Sequence, residues 1–500
     1  MIIALLSGLL LAFSMPGPNL GWLAWIAFVP LFWALDGKSP KQAFRIGWLA
    51  GVVFFGVLLY WLFTLWDWAS AFIIVGYLVL ICYLGLYWGV FGALYSFVGR
   101  RLPRWTSLIA VPALWVVLEF IRSLTRFGFP WGQAADALYL QLPFVQLASI
   151  TGPWGVSFLV VMTNYLLYMG IKYRQWSYPL IASLLMGVIF LWGWIEMSRP
   201  LSEGRELYIG LVQPNIPQRV RSDPNRLNEF LALHQQLLEE ITQEDEEVDL
   251  VILPESILPT LVLEDFQVRQ VFTKWAETHH SSLLLGTFTR DARNIYNSVA
   301  FISPRGEVVD TYDKVQLVPF STEYFPGIQL LDQMGISRWI PIGRLGALTP
   351  GKGFLPLSTE RGRLATPICF ESIFPQISRD FVRGGAQLLV TITNDAWFKN
   401  TWALPQHFAK GIYRAVENRR YFLQAANTGI SGIIEPTGRI LLRSQIEKQE
   451  VLRGLVNLMD GLTLYTRWGD WLIYASLIYL GIVFTFGFLR LRAERSRPEM

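Results

Sequence analysis

Three side chains in the second half of the chain supply a nucleophile, a carboxylate and a cation. Cys369 stands in TPICFESI, Glu255 ends VILPE, and Lys314 lies in VVDTYDKVQLVPF. A thiolate can attack a carbonyl carbon, a carboxylate can carry the thiol's proton, and an ammonium group can stabilise the oxyanion that forms. Together the three residue types fit covalent acyl transfer through a thioester.

Each of these residues also has an ordinary structural explanation when it is considered alone. A single cysteine is commonly an inert buried thiol. Glu255 could cap a helix, and Lys314 in YDK could be a solvated residue of a hairpin. The catalytic hypothesis therefore depends on a fold that brings the three side chains together.

Residues 201–465 have an ordinary globular composition, and several of their short apolar runs resemble strands that are buried on both faces. The predicted strands are 207–213, 248–254, 282–288, 297–303, 363–369, 387–393 and 431–436. Polar, helix-like runs occur between some of them, at 227–241, 266–279 and 407–420. SPRGEV at 303–308 predicts a hairpin turn around Gly306. This pattern predicts an α/β layered domain in which the site gathers at the strand ends.

The remaining thiol and the histidines do not indicate a metal or a disulfide framework. Cys82 lies in the apolar run ILICYLGLYWGVF, and the chain has only two cysteines. The four histidines, His234, His279, His280 and His407, lack the regular spacing of metal ligands. We therefore predict no metal and no cofactor. A net charge of +4 without a basic run also argues against a nucleic-acid partner.

The chain as a whole is too apolar for a water-soluble protein. Hydrophobic residues make up 53% of its 500 residues, and its mean hydropathy is +0.37, which indicates a membrane protein. We predict a transmembrane domain of about seven helices over 1–198, a transmembrane helix over 470–489 and a basic cytoplasmic tail over 490–500. The candidate spans are 1–14, 19–36, 45–66, 71–98, 107–122, 144–171, 179–197 and 470–489. Residues 1–14 lack the features of a cleaved signal peptide, so we interpret them as a retained helix.

Loop charges predict the orientation in the membrane. Lys and Arg cluster in alternate loops and after the last span, at 38–45, 100–104, 172–174 and 490–497. Of the intervening segments, the WDWAS loop has neither residue type, and the stretch after the fifth span has Arg122 and Arg126. Because basic loops face the cytoplasm, both termini are expected there and residues 201–465 on the opposite side.

Several sequence words resemble those of the nitrilase superfamily, whose members carry a Glu–Lys–Cys triad on an αββα sandwich. These words are LPES, YDKVQLVPF and CFES, with support from LVQPNIPQ, YNS and TNDAWF. The membrane half and a later stretch resemble one family with this domain, the apolipoprotein N-acyltransferases. The words that carry this second resemblance are FSMPGPNLGWLAWIAFVPLFWAL, FGFPWGQ, QLASITGPWGVSFLVV and QHFAKGIYRAVENRRYFLQAANTGISGII.

The resemblance implies an enzyme of a bacterial inner membrane that matures lipoproteins. Cys369 would take an acyl chain from a membrane phospholipid as a thioester, and the α-amino group of an S-diacylglyceryl cysteine at a lipoprotein's amino terminus would then receive it. Glu255 would act as the base and Lys314 would stabilise the oxyanions. The expected partners are the phospholipid, the apolipoprotein and the bilayer, and a monomer is expected. Aromatic segments near the span ends, GWLAW, LWDW and FPWGQ, suit a membrane interface or a direct substrate role.

The same resemblance implies supporting roles for Glu323, after LVPF, and for Glu371, two residues after the nucleophile. Three departures from the family pattern affect the prediction of substrate preference and of the role of Glu323. Phe370 stands where the family usually has Tyr, Ser222 stands where it often has Trp, and the spacing from Lys314 to Glu323 is one residue longer. Four charged residues at 414–420 favour a salt-bridged helix face over catalysis.

Two other functions are compatible with parts of the sequence. A membrane-tethered amidase would form the same thioester and use water to release it, although a soluble substrate would not need so many spans. A catalytically dead scaffold or transporter is a third possibility, and the intact triad argues against it. The irregular stretch 321–354 is long enough to form a lid over the site.

Overall fold

The computed structural model describes residues 1–101, 103–201, 204–243, 247–327, 333–335, 346 and 348–495. These residues form two compact units. The first is helical and comprises 1–61, 74–199 and the described residues from 468 onward. The second comprises 62–73 and 200–467 within the described ranges, and it contains all the described strands.

Among the described residues, six helices are long and apolar enough to cross a membrane, judged by length and composition. They are Pro40–Leu58, Phe72–Val98, Arg104–Ser123, Pro153–Tyr173, Ser177–Met197 and Trp471–Leu489. The predicted spans 1–14 and 19–36 are shorter in the structure. The first is a helix over Ile2–Ser14, whose 13 residues extend about 20 Å at 1.5 Å per residue. The second is divided between a 3-10 turn over Gly21–Trp25 and a helix over Val29–Leu35. Neither reaches the thickness of a hydrocarbon core, which is about 30 Å.

The α-helices of the described residues are labelled in chain order. In the helical unit they are α1 (Ile2–Ser14), α2 (Val29–Leu35), α3 (Pro40–Leu58), α5 (Phe72–Arg101), α6 (Arg104–Ser123), α7 (Leu142–Val145), α8 (Ala148–Thr151), α9 (Pro153–Tyr173), α10 (Ser177–Met197) and α17 (Trp471–Arg495). In the second unit they are α4 (Trp66–Ala69), α11 (Gln218–Arg221), α12 (Leu227–Ile241), α13 (Phe266–His279), α14 (Pro375–Arg383), α15 (Ala403–Asn418) and α16 (Leu464–Trp468).

Glycines allow the close approach of α3 and α5. A Cβ atom on Gly47 would lie 2.3 Å from the carbonyl oxygen of Trp88, and one on Gly92 would lie 2.4 Å from that of Ala43. Because lipid supplies no hydrophobic force between helices, such backbone contact is a main source of their association.

The second unit contains two six-stranded sheets. The first has the order β12-β1-β2-β3-β4-β5 and the second the order β11-β10-β9-β8-β7-β6. In the first sheet β1 pairs in parallel with β2 and antiparallel with β12, the last strand of the chain. The strands are β1 (Glu206–Gln213), β2 (Leu250–Ile252), β3 (Ser282–Arg290), β4 (Ile295–Ile302), β5 (Val308–Asp313), β6 (Leu357–Thr359), β7 (Gly362–Ala365), β8 (Leu388–Thr393), β9 (Phe422–Ala426), β10 (Gly432–Ile434), β11 (Ile440–Arg443) and β12 (Glu450–Asn457).

Helices cover one face of each sheet. α12 and α13 pack on the first sheet and bury an apolar core that includes Leu237, Phe272 and Leu285. α14 and α15 pack on the second sheet, and β1 contacts β9 of the other sheet. The resulting order of layers is helix, sheet, sheet, helix, so the predicted αββα sandwich is confirmed.

The sequence predicts two helices and one turn of the second unit as observed, but it predicts one strand that is too long. The expected helices 227–241 and 266–279 have the observed bounds of α12 and α13, and Gly306 occupies the predicted turn with φ +74°. The run 363–369 was expected to be one strand up to the cysteine, but β7 ends at Ala365. The last residues before Cys369 form an irregular segment that leads into a 3-10 turn.

Candidate active site

Glu255 follows β2 and occupies a turn that only a small neighbour permits. A Cβ atom on Gly286 of the adjacent strand β3 would lie 2.5 Å from the carbonyl oxygen of Pro254 and 2.6 Å from the Cα atom of Glu255. The Glu255 carboxylate is buried and is held at both oxygens. Asn297 Nδ2 donates to Oε1 at 2.7 Å, and the backbone N–H of Asn394 donates to Oε2 at 2.9 Å.

Lys314 directly follows β5 and is buried between two carboxylates. Its Nζ atom lies 2.6 Å from Glu323 Oε1 and 3.5 Å from Glu255 Oε1. Burial lowers the pKa of Lys314, but the two carboxylates more than offset this effect and keep the pKa above its ordinary value. The ammonium group therefore stays protonated and can act as a fixed positive charge.

Glu323 belongs to the described part of the predicted lid segment. Its Oε2 atom accepts the backbone N–H of Val318 at 2.8 Å, which orients the carboxylate toward Lys314. Residues 328–332, 336–345 and 347 of the segment that the sequence analysis predicts to be a lid lie outside the described residues.

Cys369 is a free, partly exposed thiol at the start of the 3-10 turn Cys369–Ile373. Its φ of +51° is a left-handed conformation, which costs free energy for a residue with a side chain and is enriched at active sites. Burial raises the pKa of the thiol, the Glu255 carboxylate raises it further, and the Lys314 ammonium opposes them. The net direction is well above the usual value, so the thiol is protonated at neutral pH and needs a base.

Glu371 is fully buried and holds the backbone on both sides of the site. Its Oε1 atom accepts the Tyr312 hydroxyl at 2.9 Å and the backbone N–H groups of Val315 and Gln316 at 2.8 and 2.9 Å. Its Oε2 atom accepts the N–H of Ile368 at 2.8 Å. Burial raises the pKa of this carboxyl to about 7, while the backbone donors oppose the shift. Glu371 thereby links the segment that follows Lys314 to the segment that precedes Cys369.

A buried histidine, which the sequence analysis does not assign to the site, lies under the cysteine. His407 Nδ1 lies 2.9 Å from Asp395 Oδ1. Its Nε2 atom lies 2.9 Å from Ser372 Oγ and 3.2 Å from the Cys369 carbonyl oxygen. Burial lowers the pKa of His407, but Asp395 offsets this and leaves the pKa above its ordinary value. Asp395 lies in TNDAWF and His407 in QHF, but their spacing is not that of metal ligands, and the sequence alone does not show that they form a pair.

Two buried arginines also support the site. Arg221 NH2 donates to the carbonyl oxygen of Glu255 at 2.6 Å, and burial lowers the pKa of this guanidinium to about 10 while Glu255 opposes the shift. Arg414 NH1 donates to the carbonyl oxygen of Ile373 at 2.9 Å, at the end of the cysteine turn. The salt bridge predicted on this helix is confirmed between Arg414 and Glu417 at 2.5 Å, and both side chains are fully buried.

The structure also places the residues at which the chain departs from the family pattern. Phe370 is buried and packs edge to face on Phe374, with ring centroids 5.1 Å apart. Ser222 follows the short helix α11, directly after Arg221. Among the residues that the structure describes, no group of histidine, cysteine and carboxylate side chains could hold a metal ion.

A two-sheet sandwich with Glu255, Lys314 and Cys369 at its strand ends defines a carbon–nitrogen hydrolase domain. Residues 208–460 match the family model described as "Carbon-nitrogen hydrolase". Residues 7–166 match the model described as "Apolipoprotein N-acyltransferase N-terminal domain". The protein is therefore an enzyme whose nitrilase-like domain is joined to a membrane part.

Relatives that align over almost the whole chain identify the family. An apolipoprotein N-acyltransferase of Geobacter metallireducens is 35% identical, over 98% of this chain and 95% of the relative. One of Thermotoga maritima is 32% identical, over 99% and 95%, and one of Gloeobacter violaceus is 30% identical, over 94% and 92%. The chain belongs to the apolipoprotein N-acyltransferase family.

Proposed function

We propose that the protein moves an acyl chain from a membrane phospholipid to the amino-terminal cysteine of a diacylglyceryl apolipoprotein. The observation that carries the proposal is the buried Glu255–Lys314 pair together with Glu371, which joins the segment after Lys314 to the residue before Cys369, in a chain of this family. Family membership supports acyl transfer over the amidase alternative, because the named relatives are acyltransferases.

In the first half-reaction Glu255 takes the proton of the Cys369 thiol while the sulfur attacks the ester carbonyl of the phospholipid. The protonated Lys314 stabilises the negative charge on the carbonyl oxygen. Collapse of the tetrahedral intermediate breaks the bond to the glycerol oxygen, and Glu255 returns the proton to that oxygen. The products are an acyl thioester and a lysophospholipid.

In the second half-reaction the free α-amino group of the lipoprotein cysteine attacks the thioester. Glu255 removes a proton from the amine, Lys314 again stabilises the oxyanion, and the sulfur leaves to regain its proton. The product is an amide, which is more stable than the thioester, so the second step runs downhill. Both substrates are lipids, and their chains leave a bilayer at a cost of about 0.8 kcal/mol per methylene, which explains the need for a membrane part.

The supporting residues have separate roles in this proposal. Glu323 holds the Lys314 ammonium at 2.6 Å. Glu371 fixes the separation between the lysine and cysteine segments, since it accepts hydrogen bonds from both. Phe370 packs on Phe374, at the end of the cysteine turn.

Intact-protein mass spectrometry tests the first half-reaction. Purified enzyme is incubated with a defined phospholipid, and we expect an added acyl mass that hydroxylamine removes. Cys369→Ser should prevent the adduct, and Cys82→Ser, which changes the other thiol, should leave it unchanged. An intact lipid and no adduct on the unsubstituted enzyme would contradict the proposed donor.

The loop charges support an orientation with both termini in the cytoplasm and the catalytic unit on the periplasmic side of the inner membrane. Single cysteines at two exposed positions test this in a chain that carries Cys82→Ser and Cys369→Ser. A membrane-impermeant maleimide should label Lys352→Cys in cells whose inner membrane is intact. Lys38→Cys should react only after that membrane is opened. The reverse pattern would overturn the orientation.

We also propose that the enzyme acts as a monomer, because a single chain supplies all three catalytic side chains. Light scattering after size-exclusion chromatography, corrected for detergent, should give the mass of one 57.1 kDa chain for the active fraction.

A further inference from the structure

A cavity of about 130 Å³ opens at one end of the helical unit. About 15 Å³ of such space holds one water molecule, so the cavity has room for a larger group. It is lined by the loop after α2, the end of α5, the start of α6 and the end of α9. The side chains used below are Asp36, Lys38, Arg104, Tyr165, Tyr168 and Lys172.

The lining of this cavity is positively charged. Lys38, Arg104 and Lys172 oppose a single carboxylate, that of Asp36, which leaves two net positive charges. Asp36 is paired with Lys172 at 2.6 Å. Within the described part of the chain, neither Lys38 nor Arg104 lies within ion-pair distance of a carboxylate. The cavity therefore has cationic groups available for an anion.

Aromatic rings hold two of these cations at the cavity. The Arg104 guanidinium lies 3.9 Å from the centre of the Tyr173 ring. The Lys172 ammonium lies 5.6 Å from the centre of the Tyr168 ring and 5.3 Å from that of Tyr173. Cation–π contacts of this kind orient a charged side chain without neutralising it.

Two tyrosine hydroxyl groups add polar character to the wall of the cavity. The side chain of Tyr168 is 1% exposed, and its hydroxyl lies beside the Lys172 ammonium and the Tyr95 hydroxyl. Tyr165, on the same helix, donates its hydroxyl hydrogen to Ser107 Oγ at 3.0 Å. These hydroxyl groups are held by the protein, so the cations are the groups available to an anion.

We infer that this cavity binds a phosphate group, whose charge is balanced by Lys38 and Arg104. The cavity lies at the level where membrane spans begin or end, since Arg104 is the first residue of one span and Lys172 lies in the last turn of another. Lipid phosphates occupy that level of a bilayer, and basic pockets between spans are typical sites for anionic headgroups. The site is built entirely from the helical unit and contains none of the proposed catalytic residues.

Native mass spectrometry of the full-length protein in a neutral detergent tests this site. The lipid probe is an ether-linked phosphatidylglycerol, which has no acyl ester for Cys369 to use, and inorganic phosphate is the soluble probe. The pocket variant carries Lys38→Gln, Arg104→Gln and Lys172→Gln. The matched control carries Lys41→Gln, Arg45→Gln and Arg174→Gln, which remove the same charge from exposed residues that do not line the cavity.

We expect the unsubstituted protein and the control to bind one more phosphatidylglycerol than the pocket variant, with at least a tenfold difference in affinity for that lipid. Stronger competition by inorganic phosphate than by lipid would support the same phosphate site with a soluble ligand. Equal lipid and phosphate binding by the pocket variant and the control would overturn the inference. If the pocket variant does not fold, Lys38→Gln alone must still weaken binding by a factor of three or more, because no other contact of that side chain is lost.

Discussion

Two groups of buried charges lie on either side of the reactive cysteine and are used in different ways. On the reactive side, Lys314 contacts both Glu255 and Glu323, and the charges of Glu255 and Lys314 act on the thiol. On the supporting side, Glu371 and Arg414 make hydrogen bonds chiefly to backbone groups. The first group leaves an ammonium and a carboxylate able to act on a substrate. The hydrogen-bonding atoms of the second group are already used by backbone groups.

The difference shows why burial or a shifted pKa alone does not identify a catalytic group. Glu371 is more deeply buried than Glu255 and has its pKa raised to about 7, yet four protein donors occupy its oxygens. Each Glu255 oxygen has a protein donor and the carboxylate also faces Lys314, which orients it without enclosing it. The partners of a carboxylate, more than its depth, distinguish the two roles.

Removal of the proposed base should have the largest effect on the reactive side. Glu255→Gln keeps the shape and removes the proton acceptor, so the rate of thioester formation should fall by about 10² to 10⁴. Single-turnover assays of the acyl adduct measure this rate. Glu307→Gln, at an exposed position after the turn at Gly306, is the matched control and should keep the full rate.

Removal of the cation should be nearly as severe. Lys314→Met should lower kcat by about 10² to 10³, because an oxyanion loses its main stabilising charge. In the unsubstituted enzyme the raised pKa of Lys314 keeps it protonated, so activity should not fall through lysine deprotonation as pH rises to about 10. An alkaline loss near pH 8 that Lys314→Met abolishes would refute this assignment. Lys352→Met, at an exposed lysine, is the control.

Removal of a supporting carboxylate should affect stability first. Glu371→Ala leaves one hydroxyl and three backbone N–H groups without their acceptor, which should cost about 1–3 kcal/mol and lower the Tm. Because burial raises the pKa of Glu371 from 4.5 to about 7, the folded chain binds more protons than the unfolded chain between those values. The stability contributed by this group therefore decreases as pH rises through that window.

The decrease in Tm caused by Glu371→Ala should accordingly be larger at pH 5 than at pH 8. Thermal unfolding at the two pH values measures the difference. Glu307→Ala serves as the control, and its effect should be small at both. A decrease that grows toward pH 8 would show that Glu371 is ionised throughout and would reverse our account of this carboxyl.

His407 should show a smaller effect on rate, since it contacts the backbone of the nucleophile and not the thiol. His407→Gln should lower kcat about tenfold and leave KM nearly unchanged, because the Cys369 carbonyl loses a fixed partner. Steady-state kinetics with the acceptor lipopeptide separate the two constants. His279→Gln, at a partly exposed helix end, is the control, and a change in KM alone would contradict a positioning role.

The smallest effect on stability is expected for an exposed charge. Asp67, in the segment that joins α3 to α5, pairs with Arg219 at 2.5 Å and with Lys399 at 3.1 Å. Solvent screens such pairs, so Asp67→Asn should leave the Tm nearly unchanged, with any difference vanishing in high salt. A larger loss of Tm, insensitive to salt, would mean that this pair is less screened than its exposure indicates.

The sequence predicts a site residue when its side chain is nucleophilic or charged and it lies next to a strand. Glu255, Lys314 and Cys369 follow β2, β5 and β7 in the structure, although β7 ends earlier than expected. The role of Glu371 as a link between two segments could not be predicted, because its partners are backbone N–H groups far along the chain. The Asp395–His407 pair was missed for a similar reason, since neither residue ends a predicted strand of its own.

The edge strands were also missed, and the reason is physical. β5 and β11 have exposed faces and few buried apolar residues, so they lack the continuous apolar run of a central strand. The predicted span 19–36 is divided in the structure, because Gly21 begins a 3-10 turn and Pro30 lies in the first turn of α2, and neither residue makes the stretch polar.

The pairing of β12 with β1 has a consequence for how the enzyme is made. The first strand of the catalytic unit pairs along its whole length with its last, some 240 residues later, from Glu206 opposite Asn457 to Gln213 opposite Glu450. A nascent chain that has passed residue 369 carries all three proposed catalytic side chains, but its first sheet still has an open edge at β1. Long-range closure of this kind is slow, so the reactive thiol should reach its working geometry only after synthesis of the domain is nearly complete.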